Sequence, residues 1–394
     1  MTDQRPILAV ITGHLTPYRV QFHRRIAAEI PELRLATLVT RRRTGPWVNP
    51  DIPEIGTVQL DTGPDEPPAS RSALFRRDWS TSSRLLDRLA QSPPAAIIAG
   101  GYDEIPYIRA LLFARRHRIP AYIWADSNVY GDMARGVRRT VKNIYVPWIT
   151  RSLAGMLICG TVGHRFYHRY GMPDDRMFTV PVEPDYTTLA AISEDDVERI
   201  ASKNGLNGGR RNLLVCCRLV SEKRVDLAIE AFARIAAARP EWDLVIAGDG
   251  PLRKELEASV PDALRARVRF LGFLDGPTLA AVYRRCQALV LPSDYEPWAL
   301  VVVEAAASGL ALLVSDRVGA AYELVVDGDN GFMVPAGDLG ALADRMGGLT
   351  VAGVAERMGA RARERWATWR SASDPIKGLR EALRAGGVPL ATKA

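Results

Sequence analysis

Short, uninterrupted apolar runs recur along this chain, and each is followed by a polar loop and a helical segment. The run ILAVIT at residues 7–12 is the first of them, and a second series of the same kind opens at residues 213–217. An apolar run of about four to eight residues is typical of a strand buried on both faces of a parallel sheet. The alternation of such strands with helices therefore predicts an α/β protein with two parallel sheets.

The length of the chain, 394 residues, suits two domains of near-equal size. Prolines at 181 and 184 and an acidic helical segment at 194–202 mark the passage from the first series of strands to the second. We therefore predict domains over residues 1–186 and 187–370, followed by a C-terminal helix over 371–394. Residues 43–72, rich in proline, glycine and aspartate, are predicted as one long excursion from the first domain.

The net charge of +7 lies entirely in the first half of the chain. Residues 1–186 contain 25 lysines and arginines against 18 acidic residues, whereas residues 187–394 contain 27 of each. The densest cluster, at 41–43, is best explained as a solvated loop, with contact to a membrane or an anionic acceptor second and nucleic acid last. The basic helical stretch at 135–148 is also predicted as a solvated face, and it is the best candidate for meeting a membrane.

Cysteine usage and the N-terminus bear on location. The four cysteines have no metal-ligand spacing, which favours a reduced protein. The polar N-terminal tail passes directly into a strand, without the charged start and apolar core of a secretion signal. No uninterrupted apolar run reaches the length of about 18 residues needed to span a membrane. We expect a cytoplasmic protein, either soluble or held peripherally at the inner face of the membrane.

Residues 289–324 contain the most informative motif, a strand, a loop and a helix that carry two carboxylates. The helix is predicted to begin near Trp298, with Pro297 in its first turn because proline suits that position. Backbone N–H groups at a helix start have no partners within the helix and form a positive site suited to phosphate. The predicted donors are those of Trp298, Ala299 and Leu300.

The two carboxylates of this motif, Glu296 and Glu304, could each grip hydroxyl groups, of a sugar and of a ribose. The alternative is that Glu296 caps the helix and Glu304 lies on a solvated or ion-paired face about two turns in. Arg218 and Lys223 follow the strand that opens the second domain, where two cations suit a diphosphate. Taken together, the four side chains describe a pocket for a sugar joined to a nucleoside diphosphate.

Polar residues also follow the strands of the first domain. Ligands of parallel sheets bind at the carboxyl ends of strands, so the residues of the loop after the first strand are placed to touch a substrate. A helix is predicted to follow that loop from residue 22. Asp126 follows a later strand and is a second candidate, with a helix cap or loop anchor as the alternative. The acceptor-side candidates of the first loop are His14, Thr16, Tyr18 and Arg19.

Other motifs are less specific. The loop of Gly248 and Gly250 resembles a dinucleotide-binding turn, but Arg253 occupies the position of the third glycine, which disfavours an NAD-dependent oxidoreductase. His164 and His168 lie four residues apart without a supporting carboxylate, so they are weak candidates for metal ligands. No metal and no cofactor are expected.

The second half resembles the nucleotide-sugar domain of retaining GT-B glycosyltransferases of family GT4, the glycosyl transferases group 1. The matching landmarks run in the family's order over about half of the chain. They are CCRLVSEKR, VIAGDGPL, VRFLGFL, EPWALVVVE and SDRVGAAYELVVDGDNGFMVP. The resemblance implies two Rossmann-like domains facing a central cleft, the first binding the acceptor and the second the donor, with the C-terminal helix crossing back to the first.

The resemblance also implies roles for particular residues. Arg218 and Lys223 would bind the donor diphosphate, Glu296 the sugar hydroxyls and Glu304 the ribose. Such enzymes transfer sugar from a UDP- or GDP-sugar to a hydroxyl acceptor, which can be lipid-linked, with retention of configuration and without a metal. The acceptor would belong to polysaccharide, glycolipid or natural-product assembly. The remaining donor contacts would come from Trp298, Ala299, Leu300, Gly248 and Leu271.

The chain departs from the family pattern at several positions. Ala299 replaces the usual glycine, and Val303 a residue that is often polar. Ala125 occupies the place of a catalytic histidine, which leaves Asp126 or His14 to take part instead. The alternative to an enzyme is a non-catalytic GT-B-like protein that binds nucleotide sugar or serves as an assembly partner.

Overall fold

The structure, a computed structural model, describes residues 3–41, 51–63, 70–206 and 209–391. The chain divides into two compact units, one of residues 1–183 with 373–394 and the other of residues 184–372. Each unit contains one parallel sheet flanked by helices. The predicted α/β class with two parallel sheets is therefore confirmed.

The first unit contains a seven-stranded sheet whose central strands are apolar and almost completely buried. The strand order is β3-β2-β1-β4-β5-β6-β7, and it reverses between β1 and β4. A reversal of this kind opens a crevice at the carboxyl ends of the two strands. The strands are β1 Ile7–Thr12, β2 Arg34–Val39, β3 Thr57–Gln59, β4 Ala96–Ala99, β5 Ala121–Ala125, β6 Gly155–Ile158 and β7 Met177–Thr179. The helices are α1 Pro17–Glu29, α2 Arg71–Gln91, α3 Ile105–His117, α4 Gly136–Thr150 and α5 Thr161–Arg169.

The second unit contains a six-stranded parallel sheet in the order β10-β9-β8-β11-β12-β13, which reverses between β8 and β11. Its core includes the fully buried Trp242, whose indole N–H donates to the carbonyl of Thr350 at 3.1 Å. The strands are β8 Arg211–Cys216, β9 Trp242–Ala247, β10 Val268–Gly272, β11 Ala288–Leu291, β12 Ala311–Ser315 and β13 Gly331–Val334. The helices are α6 Tyr186–Ala191, α7 Glu194–Lys203, α8 Val225–Ile235, α9 Arg253–Ser259, α10 Gly276–Arg285, α11 Leu300–Ala307, α12 Ala321–Leu324, α13 Leu339–Leu349 and α14 Val354–Ala372.

The last helix, α15 Pro375–Ala385, belongs to the first unit. The hydroxyl of Tyr122 in β5 donates to the carbonyl of Ala382 at 2.8 Å. A Cβ added to Gly378 would lie 2.0 Å from the carbonyl oxygen of Thr179 at the end of β7. The helix therefore packs directly on the backbone of the sheet, at a position where only glycine fits.

The predicted excursion at 43–72 is wrong in part. Residues 51–63 contain a 3-10 turn, Pro53–Ile55, and the edge strand β3, which pairs in parallel with β2. The strand was missed because its three residues are only partly buried and form no apolar run. Residues 42–50 and 64–69, which include Arg42 and Arg43 of the basic cluster, lie outside the described residues.

One helix begins earlier than predicted, and another begins within the predicted excursion at 43–72. Helix α1 begins at Pro17 rather than residue 22, so Tyr18 and Arg19 lie in its first turn and not in the loop. Helix α2 begins at Arg71, where the Ser70 hydroxyl accepts from the amide of Ala73 at 3.2 Å. Both starts are polar or exposed, so the apolar pattern did not reveal them. Among the described residues, no helix is both long and apolar enough to cross a lipid bilayer.

Candidate active site

The reversal of strand order in the second unit brings the loops after β8 and β11 together. Lys223 lies in the first loop and Glu296 in the second. The Lys223 Nζ lies 2.8 Å from Glu296 Oε1, and the Ser293 hydroxyl donates to the same oxygen at 3.0 Å. Glu296 is 7% exposed, so the ion pair is largely removed from solvent. A cation and a carboxylate therefore stand side by side at the point where α/β sheets bind ligands.

Backbone hydrogen bonds hold the loop of Glu296 from two sides. The Asp294 amide donates to the carbonyl of Glu222 at 2.8 Å, which joins the loop to the one after β8. The Glu296 amide donates to the carbonyl of Arg317 at 3.1 Å, and the Gly319 amide donates to the carbonyl of Glu296 at 3.2 Å. Because both neighbours are fixed, the carboxylate is positioned before any ligand arrives.

Arg218, at the start of the same loop after β8, differs from Lys223. Its side chain is exposed, and it makes no salt bridge with any residue that the structure describes. A guanidinium that is not engaged by a carboxylate can fork across two phosphate oxygens. Of the two predicted diphosphate ligands, Lys223 is thus already paired and Arg218 is available.

The helix of the central motif begins later than predicted. Helix α11 begins at Leu300, so Pro297 is not in its first turn. The preceding residues are held in extended pairing, since Glu296 bridges to Val318 and the Trp298 carbonyl accepts from the amide of Ala320 at 2.8 Å. The helix N-terminus, with its free amides, therefore starts two residues beyond Trp298.

Two residues before α11 have unexpected environments. The Trp298 side chain is buried and packs against Trp369 at a ring-centroid distance of 5.9 Å, so it serves the core. Ala299 has φ 78° and ψ 82°, a left-handed conformation that strains a residue with a Cβ. The position that differs from the family's usual glycine is thus one whose backbone favours glycine.

Glu304 is the fifth residue of α11, a little over one turn from its start rather than two. The Tyr283 hydroxyl of α10 donates to Glu304 Oε2 at 2.7 Å. Burial raises the pKa of Glu304, and the Tyr283 hydrogen bond partly opposes this rise. Glu304 therefore does not lie on a solvated face, and no cation of the described residues forms a salt bridge with it; a second hydroxyl donor would stabilise its charged form.

The two remaining donor-side candidates lie at the same carboxyl edge of the sheet. Gly248 follows β9, and its amide donates to the carbonyl of Gly272 at 2.8 Å. Leu271 lies near the end of β10 and is partly buried. Since the order is β10-β9-β8, they lie one and two strands away from the loop of Arg218 and Lys223.

The first unit has its own cavity at the reversal between β1 and β4, with a volume of about 390 Å³. Its walls include Tyr18, Arg19, Asp126 and also Lys142 of α4, which the sequence placed on a solvated face. The other two acceptor-side candidates, His14 and Thr16, do not line it. The carbonyl of His14 accepts a hydrogen bond from the Thr12 hydroxyl at 3.0 Å. Thr16 is the N-cap residue of α1.

Asp126 follows β5 directly and remains open to solvent at the cavity wall. Although the residue as a whole is exposed, the protein around its carboxyl group partly desolvates it and raises its pKa, and a backbone hydrogen bond and the charge of Arg19 oppose the rise. The alternative role as a helix cap belongs to another residue, because Asn128 Oδ1 accepts from the amides of Tyr130 at 2.9 Å and Gly131 at 3.2 Å.

The sequence did not indicate several residues that hold the candidate site residues in place. Ser293 and Tyr283 each orient one of the two key carboxylates, and Asp132 anchors α4 through Lys142 at 2.8 Å and through Arg139. Although burial opposes it, hydrogen bonds from Lys142, Arg139 and Tyr170 lower the pKa of Asp132 to about 2. No local spacing rule connects these partners. Within the described ranges, no three histidine, cysteine or carboxylate side chains are grouped to hold a metal ion.

Comparison with solved structures defines the class of fold. The chain is similar to sucrose-phosphate synthase from Thermosynechococcus elongatus, with a TM-score of 0.75, 20% identity and coverage of 97% of this chain and 100% of that one. It is also similar to Anabaena HepE in complex with UDP, with a TM-score of 0.74, 15% identity and coverage of 98% and 100%. The chain thus has the GT-B fold.

Sequence comparison then shows which family part of the chain matches. Residues 196–365 match the family described as Glycosyl transferases group 1. The chain is also similar to glycogen synthase from Mycobacterium tuberculosis, at 41% identity over 137 residues, which is 34% of this chain and 33% of that protein. The chain therefore carries a group 1 glycosyltransferase domain, as its motifs predicted. It covers about a third of the length of the curated relatives that it matches first.

Proposed function

We propose that this protein transfers a sugar from a UDP- or GDP-sugar to a hydroxyl acceptor in polysaccharide, glycolipid or natural-product assembly. The observation that carries the proposal is the contact of Lys223 with Glu296 beside the exposed Arg218, at the strand reversal of a group 1 domain. The site thereby combines cations that can bind a diphosphate with a carboxylate that can bind sugar hydroxyls. The complex of the structural neighbour HepE with UDP supports the choice of a nucleotide donor.

The donor would be held at both of its ends. Arg218 and Lys223 bind the diphosphate, and Glu296 binds the sugar hydroxyls. Glu304 binds the ribose, and its raised pKa falls again when a hydroxyl group donates to it. The amides at the start of α11, the Gly248 loop and the region of Leu271 provide the remaining contacts, to phosphate and base.

The reaction proposed is a displacement with retention that requires no metal. The bond between the anomeric carbon and the diphosphate oxygen breaks, and the acceptor oxygen forms its bond on the same face. The acceptor proton passes to the leaving diphosphate. Negative charge grows on the diphosphate in the transition state, so Arg218 and Lys223 stabilise the transition state more than the bound substrate.

The cavity of the first unit is the proposed acceptor site. Tyr18, Arg19 and Asp126 line it. A hydroxyl-bearing acceptor substrate can therefore both accept and donate hydrogen bonds there. Asp126, with its raised pKa, takes the place that the missing histidine leaves at Ala125. His14 and Thr16, in the loop before α1, are candidates for further contacts on this acceptor side.

A thermal-shift panel of UDP, GDP and their sugars tests the donor assignment. A ligand present at about a hundred times its Kd stabilises the native state by about 2.7 kcal/mol, which is easily measured. We expect one base to stabilise the wild-type protein and Lys223→Met to abolish that response. No response to any nucleotide or nucleotide sugar would contradict the proposal and favour a non-catalytic assembly role.

A further inference from the structure

Helix α4 has an apolar stripe on the side that faces solvent. Val137, Val141, Ile144 and Trp148 are exposed by 81%, 58%, 69% and 47% respectively. Their spacing of four, three and four residues places them on one narrow face at about 100° per residue. Val146, on the opposite side, is completely buried in the core of the first unit. The outward stripe therefore remains largely in contact with solvent and does not enter the core of this unit.

The stripe continues onto the neighbouring helices. Leu112 of α3 lines the same crevice as Trp148, and it is exposed to solvent. Trp79 of α2 lies under the guanidinium of Arg109 at 4.2 Å and is also exposed. Single exposed apolar residues are common, but the α4 stripe together with Leu112 of α3 forms an apolar group that marks a binding surface.

The charge around the stripe has a single sign. Helices α3, α4 and α5 contain eight lysines and arginines and no aspartate or glutamate. Arg138 and Arg151, both exposed and on or next to α4, make no salt bridge within the residues that the structure describes. Asp132 can neutralise only one of its three cations, Arg139, Lys142 and Arg169. A groove of about 500 Å³, lined by arginines of α4 and α5, lies beside the stripe.

We propose that this surface, formed by Val137, Val141, Ile144 and Trp148 with Arg138 and Arg151, binds the face of a lipid bilayer that contains anionic phospholipid. The apolar side chains would enter the boundary of the acyl chains, with Trp148 at headgroup level, and the arginines would contact phosphate. A second copy of the chain is a poorer occupant, because a twofold contact would bring these cations against each other.

The membrane contact does not depend on sugar transfer, but it has a consequence for it. Helix α4 also places Lys142 in the wall of the cavity of the first unit. If the proposed function holds, a lipid-linked acceptor would thus be bound by the same unit that binds the bilayer.

Vesicle co-sedimentation of the full chain tests this surface. We expect binding to vesicles of phosphatidylcholine and phosphatidylglycerol, mixed two to one, and little binding to phosphatidylcholine alone. Ile144→Ser with Trp148→Ser is expected to lower the partition coefficient at least about tenfold. Arg138→Gln with Arg151→Gln is expected to lower it roughly fivefold per arginine. The matched control is Val326→Ser with Val351→Ser, two exposed apolar residues of the second unit, which keeps wild-type binding.

Several results would overturn the proposal. These are no binding by the wild-type protein, equal binding to both vesicle types, or full binding by the Ile144/Trp148 variant with its circular dichroism and thermal midpoint unchanged. A dimer seen without vesicles and abolished by that variant would assign the surface to a second copy instead. The nucleotide response of each variant, measured by thermal shift, separates a failure at this surface from a failure of the proposed function.

Discussion

The ammonium of Lys223 lies 2.8 Å from Oε1 of Glu296, across the strand reversal of the second sheet. Each group stabilises the other in a site largely closed to water, and Ser293 supplies a further hydrogen bond. Removal of one partner would leave a charge that is both buried and unpaired, which costs more than the pair itself contributes. The ion pair therefore holds the two side chains in position before a ligand binds. A bound ligand would then interact with each of the two side chains.

Lys223→Met and Glu296→Gln are each expected to lower kcat/KM for sugar transfer by at least about a hundredfold, since each removes a charged contact to the transition state. Because the two residues act together, the double variant should lose less than the product of the two single effects. Steady-state transfer assays with the donor found in the thermal-shift panel provide the measurement.

Arg224→Gln is the control for those variants. Arg224 is adjacent to Lys223, but it pairs with Asp226 at 3.0 Å and with Asp294 at 3.4 Å. We expect this variant to transfer sugar at nearly the wild-type rate. Comparable losses in all three variants would indicate a general effect of loop charge and would contradict the specific assignment of Lys223.

Tyr283→Phe removes the hydrogen bond at 2.7 Å that opposes the raised pKa of Glu304. The pKa of Glu304 should therefore rise further, and its charged form should be lost at a higher pH than in the wild-type protein. We expect nucleotide affinity, measured by calorimetry, to weaken at a higher pH as the solution is acidified. Identical pH profiles for the variant and the wild type would show that Glu304 does not contribute to nucleotide binding.

Ala299→Gly should raise the free energy of unfolding by up to about 1 kcal/mol, because it relieves a left-handed backbone at φ 78°. Ala307→Gly, in the last turn of the same helix, should instead lower it by up to about 1 kcal/mol. Denaturant titrations of both variants measure the two effects. Destabilisation by both to the same extent would show that residue 299 is not strained.

His23 should make the first unit sensitive to acid. The residue is completely buried, its Nδ1 lies 3.0 Å from the Thr37 hydroxyl, and burial lowers its pKa from 6.5 to about 3, with the charge of Arg19 adding to the effect. The unfolded chain therefore binds a proton that the folded chain excludes. The contribution of the neutral His23 to the free energy of unfolding is complete above about pH 6.5. It is lost as the pH falls toward 3, at up to about 1.4 kcal/mol per pH unit.

The variant His23→Gln carries no titrating group at this position. Below about pH 6.5, its unfolding free energy should decline less steeply than that of the wild-type protein. Denaturant titrations between pH 7 and pH 4 compare the slopes, so that any constant loss from the substitution cancels. Parallel slopes would show that His23 is protonated in the folded state.

Gly378→Ala should destabilise the docking of α15, since the added Cβ would meet the carbonyl oxygen of Thr179 at 2.0 Å. Overpacking of this kind costs about 1–3 kcal/mol. Gly348→Ala in α13 is the matched control, because nothing lies within 4 Å of its added Cβ and alanine favours a helix. Hydrogen exchange over residues 375–385 should rise in the first variant only. Unchanged exchange would contradict the close packing of this helix.

The periodicity of the sequence was sufficient for the architecture, because the strands of a parallel sheet are buried on both faces and read as continuous apolar runs. The run at Ile7–Thr12 coincides with β1, and the landmarks around Glu296 predicted the family that residues 196–365 match. This signal fails where burial is partial, and for that reason β3 and the start of α2 at Arg71 were not recognised within the predicted excursion.

Local pattern also could not reveal partnerships between distant segments. The sequence indicated Lys223 and Glu296 as separate candidates, but their contact exists only because the sheet order reverses between β8 and β11. The bond of Tyr283 to Glu304 likewise joins two separate helices, α10 and α11, that only the tertiary structure brings within reach of each other. The sequence thus determined which groups are available for chemistry, and the tertiary structure decided which of them meet, because contact between distant residues is set by the packing of whole elements.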